Sequence, residues 1–155
     1  MELMEIVEVT TKSPGETKKL ARIFAKEILK TPIAKRAVVI GLAGELGGGK
    51  TTFTQGFARG LGIKHHITSP TFVLMRSYQL PVTDYRLLIH IDAYRIAEPR
   101  ELLLLGWKEL LQNPYNIIIV EWADRIKSIL PRSYIEVRFN IVGEKERGLK
   151  FKVKK

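Results

Sequence analysis

The sequence predicts an α/β fold with a mostly parallel central sheet and antiparallel edge strands, and three observations carry that prediction. Apolar runs of strand length (residues 37–40, 86–92 and 116–121) alternate with stretches of helical spacing, as parallel strands joined by crossover helices do. Directly after the first run, a glycine-rich turn leads into a helix, at residues 44–51. Near the C-terminus, residues 134–141 and 149–153 alternate apolar and polar across a Gly-containing turn, the pattern of an antiparallel hairpin.

In chain order, residues 4–10 alternate loosely and predict a first strand. Ser13-Pro14-Gly15-Glu16 predicts a helix start, with Ser13 as N-cap, Pro14 at the first position and Glu16 closing a capping box. Leu20, Ile23, Phe24 and Ile28 follow at helical spacing and predict that helix's apolar face. The helix after the glycine turn runs from about Lys50 to Leu61, where Gly62 stops it. Residues 67–78 open as a proline-containing loop and continue as a strand. The run 86–92 is a buried-type strand ending on Asp92, and a helical segment from about Pro99, carrying Leu102, Leu103 and Leu105, breaks at Gly106. Residues 116–121 form a third apolar strand ending on Glu121, and a short helix over 123–129 is stopped by Leu130-Pro131. No repeat or linker divides the series, so residues 1–155 read as one domain.

Composition narrows the function. A chain of 155 residues, 45% hydrophobic and 27% charged, suits a soluble domain with its own core. No apolar run is long enough to span a membrane, and Met1-Glu2-Leu3-Met4-Glu5 is acidic where a secretory leader is basic. A cytoplasmic protein with no membrane association is the expectation. Cysteine is absent, which excludes disulfides and cysteine-based metal sites, and His65, His66 and His90 lack zinc-site spacing. The formal charge of +10 favours phosphate-rich or acidic partners, RNA foremost, although much of the excess sits in residues 145–155.

Gly44-Glu45-Leu46-Gly47-Gly48-Gly49-Lys50-Thr51 is a complete Walker A sequence in the strand–turn–helix context that gives it meaning. Backbone amides at a helix N-terminus can wrap nucleotide phosphates. The expected contacts are Glu45, Leu46, Gly47, Gly48, Gly49, Lys50, Thr51 and Thr52, with Lys50 reaching the β- and γ-phosphates and the Thr51 hydroxyl holding Mg2+. The fold class sharpens to a phosphate-loop NTPase domain, a three-layer sandwich. Ligands of open α/β sheets lie beyond the carboxyl ends of the parallel strands, where Asp92 and Glu121 also end their runs. Magnesium takes one or two carboxylates together with phosphate oxygens, and a carboxylate beside the γ-phosphate can position the attacking water. Asp92 and Glu121 are therefore candidate metal ligands and catalytic acids. Residues 117–121 have the Walker B form, with Glu where Asp is commoner. Ser69-Pro70-Thr71-Phe72 is a rigid hydroxyl-bearing loop placed where nucleotide-sensing loops occur. Trp122, taken alone, reads as a packing residue.

With these segments in place, the chain resembles the TsaE (YjeE) family of small bacterial ATPases. The resemblance rests on Gly44 to Phe53 with Gln55-Gly56, on Thr68-Ser69-Pro70-Thr71-Phe72, on His90-Ile91-Asp92-Ala93-Tyr94-Arg95 and on Glu121-Trp122, in that order over roughly residues 40–125. Departures are Gly48 where the family usually has Ala, and Glu45 where Asp is common; both are compatible with a loop that binds largely through backbone. The resemblance implies a slow ATPase using ATP and Mg2+ in tRNA threonylcarbamoyladenosine modification. It further implies action in complex with a transferase and that enzyme's inactive paralogue, with tRNA met indirectly or transiently. Carried over by motif, Lys50 and Thr51 bind phosphate and magnesium, Glu121 joins the metal site and Asp92 is the catalytic acid, although the roles of Asp92 and Glu121 are exchangeable. Thr71 becomes the nucleotide sensor, Trp122 lies near the site or a partner surface, Thr17 is a candidate nucleotide contact, and Arg147 resembles a basic residue of the family's last hairpin.

A small-molecule kinase of the phosphate-loop class is the alternative. Arg95, Arg100 and Arg125 could serve as its phosphate clamps, but no lid-like insertion accompanies them. A GTPase lacks its Asn-Lys-x-Asp motif here, and a pure RNA-binding module leaves the phosphate site without purpose.

Overall fold

A computed structural model describes residues 6–68, 74–81 and 83–155. In chain order it holds β1 (Ile6–Thr11), α1 (Pro14–Lys30), β2 (Val38–Gly44), α2 (Lys50–Gly60), β3 (Met75–Gln79) and β4 (Leu87–Asp92). There follow α3 (Arg100–Leu104), α4 (Trp107–Gln112), β5 (Asn116–Glu121), a 3-10 segment (Ala123–Ile129), β6 (Tyr134–Ile141) and β7 (Arg147–Lys154). One seven-stranded sheet runs in the order β1-β7-β6-β2-β5-β4-β3. Strands β6, β2, β5 and β4 pair in parallel, while β1, β7 and β6 on one side and β3 against β4 on the other pair antiparallel. The expected parallel centre with antiparallel edges is what forms.

The apolar runs sit centrally because they are covered on both faces. Every residue of β5 is buried. Alternate side chains feed two cores: Ile117 and Ile119 join Ile40 and Leu42 under α1 and α2, while Ile118 and Val120 join Val39 and Trp107 on the opposite face. That makes the three layers.

Two local readings change in α1. Ser13 caps α1 through the Glu16 N–H (3.2 Å), but the Glu16 carboxylate accepts from the Lys12 N–H, one residue earlier than a standard capping box. The buried face of α1 is Thr17, Ala21, Ala25 and Ile28, and Ile23 is 53% exposed. The cause lies in α2. A Cβ added at Gly56 would sit 2.4 Å from the Lys18 carbonyl oxygen, and one at Gly60 would sit 2.6 Å from that of Arg22. Backbones this close admit small residues, so Ala21 and Ala25 face inward, with Leu20 and Phe24 packed at the margins.

The helical segment beyond Pro99 does break at Gly106, whose φ of +91° starts α4. Residues 123–129 form a 3-10 segment rather than an α-helix, kinked at Ile126. Trp107 donates its indole N–H to the Ile129 carbonyl (2.9 Å), tying α4 to that segment. Among the described residues, no helix is long and apolar enough to cross a membrane.

Candidate nucleotide site

Parallel pairing brings the strand ends together. Leu42 of β2 and Asp92 of β4 both stand beside Glu121 of β5 in register. The glycine-rich loop leaves β2 at this edge. Gly44 has a φ of +128°, and a Cβ there would lie 2.2 Å from the Phe139 carbonyl oxygen of β6, so only glycine fits. At the loop's other end Gly49, with φ +102°, is the N-cap of α2. Having no side chain to cap with, it leaves first-turn amides for an anion.

Loop residues Leu46 to Thr52, with Glu121 and Trp122, line a cavity of ≈ 210 Å³. Lys50 is buried, and its ammonium donates to the carbonyls of Gly44 (3.0 Å) and Glu45 (2.6 Å). The same Nζ lies 4.0 Å from the centre of the Trp122 ring, a cation–π contact. Burial lowers the Lys50 pKa, against the upward pull of Glu121, Asp124, Asp92 and Glu45. A cation held this way gains from an incoming phosphate, which offers a full negative charge in place of two carbonyl dipoles.

Beneath the loop runs a chain of short hydrogen bonds. The Thr51 hydroxyl donates to Glu121 Oε1 (2.7 Å), and His90 Nε2 lies 2.6 Å from Glu121 Oε2. Against an ionised carboxylate, which only accepts, Nε2–H is the donor. His90 is fully buried and Glu121 is 2% exposed. The other imidazole nitrogen, Nδ1, has no hydrogen-bond partner among the described residues. Glu121 is thus clamped from two elements and cannot swing freely. Asp92, more accessible, has its pKa raised chiefly by burial; the Tyr94 N–H, donating to Oδ1 at 3.0 Å, opposes this, and the Glu121 charge adds to the rise.

The donors suit magnesium: a hydroxyl from Thr51 and carboxylates from Glu121 and Asp92 are hard oxygen ligands. Among the described residues, no group of three or more His, Cys, Asp or Glu is gathered for a metal. The rest of an octahedral shell would have to come from phosphate oxygens and water, as magnesium in nucleotide sites requires.

Not every expected residue joins the site. Glu45 contributes its backbone: its carbonyl accepts from Lys50 and from the Gly48 N–H (3.0 Å). Gly48 is tighter than the sequence suggests, since a Cβ there would sit 2.9 Å from the Glu45 carbonyl oxygen and 3.1 Å from the Phe139 Cβ. An alanine would have to push that turn open. Thr17, on the buried face of α1, has its hydroxyl 2.6 Å from that of Thr11, and it does not line the loop cavity. Thr71 lies outside the described residues, with all of residues 69–73.

Trp122 is not simply packing. It lines the cavity, adopts φ +60°, caps Lys50 and packs against Tyr94 with ring centres 5.0 Å apart. His90 and Asp124 received no role from the sequence reading. A histidine inside an otherwise aliphatic strand, two residues before Asp92 and so on the same strand face, was the available signal for the first. Arg147 binds the Gly47 carbonyl (3.1 Å) through Nε and three carbonyls of the β6–β7 turn through Nη1, so it braces the loop against the hairpin.

Comparison with known proteins places this architecture. The family profile described as "Threonylcarbamoyl adenosine biosynthesis protein TsaE" matches residues 11–149. A tRNA threonylcarbamoyladenosine biosynthesis protein TsaE from Bacillus subtilis is 36% identical over 148 residues, covering 96% of this chain and 86% of the relative. Its counterpart from Rickettsia typhi is 35% identical over 139 residues, 89% of each chain. The crystal structure of Bacillus subtilis YdiB superposes with a TM-score of 0.74 at 32% identity, covering 100% of this chain and 90% of that one.

Proposed function

The chain belongs to the TsaE family of threonylcarbamoyl adenosine biosynthesis proteins, and from that premise we propose that it binds MgATP and hydrolyses it as an accessory of tRNA modification. Its place in tRNA threonylcarbamoyladenosine biosynthesis follows from the family. The observation that supports the ATPase reading is the Thr51–Glu121–His90 hydrogen-bond chain, with Glu121 and His90 buried, beneath a complete Walker A loop.

In this reading the amides at the start of α2 and the Lys50 ammonium bind the β- and γ-phosphates. Lys50 exchanges its two carbonyl acceptors for phosphate oxygens on binding. Thr51 and Glu121 hold magnesium, which when bound offsets phosphate charge. Asp92, half-buried beside Glu121, orients a water and takes its proton as the water oxygen bonds to the γ-phosphorus. The bond to the β,γ-bridging oxygen breaks, releasing ADP and inorganic phosphate. Thr71 serves as γ-phosphate sensor. The protein works in the cytoplasm, docked on a transferase and its inactive paralogue.

The test is ATP hydrolysis by the purified chain, alone and with that pair. Strong stimulation of phosphate release to water is expected. Transfer of phosphate to an added small-molecule acceptor would instead establish the kinase alternative.

A further inference from the structure

The crossing of α1 and α2 builds a second concave site, away from the phosphate loop. The close contact at Gly56 and Gly60 draws the two helices together and leaves a groove of ≈ 270 Å³ along their outer margin. Lys18 and Arg22 line it from α1, Gln55 and Arg59 from α2, and His65 and His66 from the segment that follows. Lys18 and Arg22 are four residues apart, as are Gln55 and Arg59, so each pair stacks along one helix face.

Three features separate this groove from an ordinary lysine-rich surface. No acidic residue lines it. None of Lys18, Arg22 and Arg59 has an ion-pair partner among the described residues, although Lys30, Arg138, Lys150 and Lys154 elsewhere all find carboxylates. Arg59 is also anchored, with Nη1 donating to the Lys64 carbonyl (3.2 Å), so its position is set before any ligand arrives. Cations gathered without counter-charge repel one another, and a polyanion relieves that repulsion.

We propose that the α1–α2 groove is an RNA-binding site that takes a run of phosphodiesters on Lys18, Arg22 and Arg59, with unpaired bases against the rings of His65 and His66. Aromatic and imidazole faces stacked on splayed bases, beside cations that track the backbone, are how proteins hold single-stranded RNA loops. The exposed pair of adjacent rings makes RNA a better occupant than an acidic protein surface, which needs only the cations. The proposal rests on the tRNA-modification reading above and adds to it a direct contact. The groove is separate from the nucleotide cavity: α2 rises ~1.5 Å per residue, so Gln55 and Arg59 lie ~7.5 and ~13.5 Å along the helix from Lys50.

The experiment measures binding of the full chain to a fluorescently labelled, unmodified tRNA transcript by anisotropy across a salt series, with and without MgATP. The variants are Lys18→Gln/Arg22→Gln/Arg59→Gln and a charge-matched control, Lys108→Gln/Lys127→Gln/Lys145→Gln, all on exposed positions. ATP binding by each protein, read from Trp122 fluorescence, reports both folding and the nucleotide site. The groove variant is expected to lose at least about tenfold in RNA affinity and to flatten the log–log salt slope by about two, near 0.7 per lost single-strand phosphate contact. The control should keep both, and ATP binding should be unchanged throughout. Equal losses in groove and control variants would overturn the proposal as diffuse electrostatics, and no RNA binding by the unmodified chain would overturn it outright. Loss of ATP binding in the groove variant would make the groove part of the nucleotide site instead. Retained RNA binding with lost stimulation by the transferase pair would make it a protein dock. Failure of ATP binding in the unmodified chain strikes the ATPase reading and leaves the RNA result standing.

Discussion

At the carboxyl ends of β2, β4 and β5, Lys50, His90 and Glu121 are buried and touch named partners at 2.6–3.0 Å. Across the sheet, in the wing of β1, β7 and β6, Glu8 meets Lys150 at 3.6 Å, and Glu136 meets Arg138 at 3.1 Å and Lys154 at 3.7 Å, with water at hand. The wing has more ion pairs, yet exposed pairs contribute only about 0–1 kcal/mol each and fade with salt. Leaving a buried hydrogen-bonding group without its partner costs about 1–3 kcal/mol, because no water replaces the lost contact. Burial, not the number of charges, decides which of them matter. The wing reaches the site by other means, through Arg147 on the Gly47 carbonyl and through Phe139 against Gly44.

The contrast can be broken most forcefully at Asp92. Asp92→Asn should lower the single-turnover rate by about 10²–10⁴, the worth of a general base, while ATP affinity shifts little. Equal loss in both would make Asp92 a structural or metal residue. Its raised pKa sets the sign of two pH effects. Hydrolysis should fail on the acid side at a higher pH than an ordinary aspartate would give, a limb absent from Asp92→Asn. In the nucleotide-free chain the folded state holds this proton more tightly than the unfolded state. The Asp92 contribution to stability therefore rises as pH falls through its raised pKa, opposite to a salt-bridged carboxylate. Paired melting curves of the unmodified chain and Asp92→Asn check it.

Lys50→Ala comes next. Losing one or two charge-assisted hydrogen bonds to phosphate, about 1.5–3 kcal/mol, should weaken ATP binding by roughly tenfold to a hundredfold by titration calorimetry. Because burial already depresses the Lys50 pKa, apo stability should not fall in step.

His90→Leu leaves Glu121 Oε2 without its donor and should cost about 1–3 kcal/mol in denaturant unfolding. Glu136→Gln, which removes both wing pairs of that residue, should cost no more than about 1 kcal/mol. Similar values for the two would erase the contrast. The smallest effect belongs to deletion of Lys154 and Lys155, which removes the 3.7 Å pair with Glu136 and should leave hydrolysis intact. A large drop in rate would tie the tail to the site.

Much of this was legible in the chain. Strand runs, the glycine loop and the acids ending β4 and β5 follow from short-range rules: period-two burial, the steric freedom of glycine and the position of turns. The clamp on Glu121 was not. Its partners stand 31 and 70 residues away in the sequence, and only strand order brings them to one carboxylate. The same holds for Ile23, which has helical spacing but faces water because Gly56 and Gly60 set how α2 meets α1.

By itself, then, the sequence determined the α/β class, the extents of β4 and β5 and the glycine-rich turn from Gly44 to Thr51, because each is dictated by neighbours within a few residues; β2 runs beyond the apolar run 37–40, to Gly44. The tertiary structure alone decided that Trp122 caps Lys50, that His90 and Thr51 share Glu121, that Thr17 turns inward to Thr11, and that Lys18, Arg22 and Arg59 line one groove. These are contacts between segments far apart in the chain, and local propensity carries no information about them until the sheet order and the helix crossing are fixed.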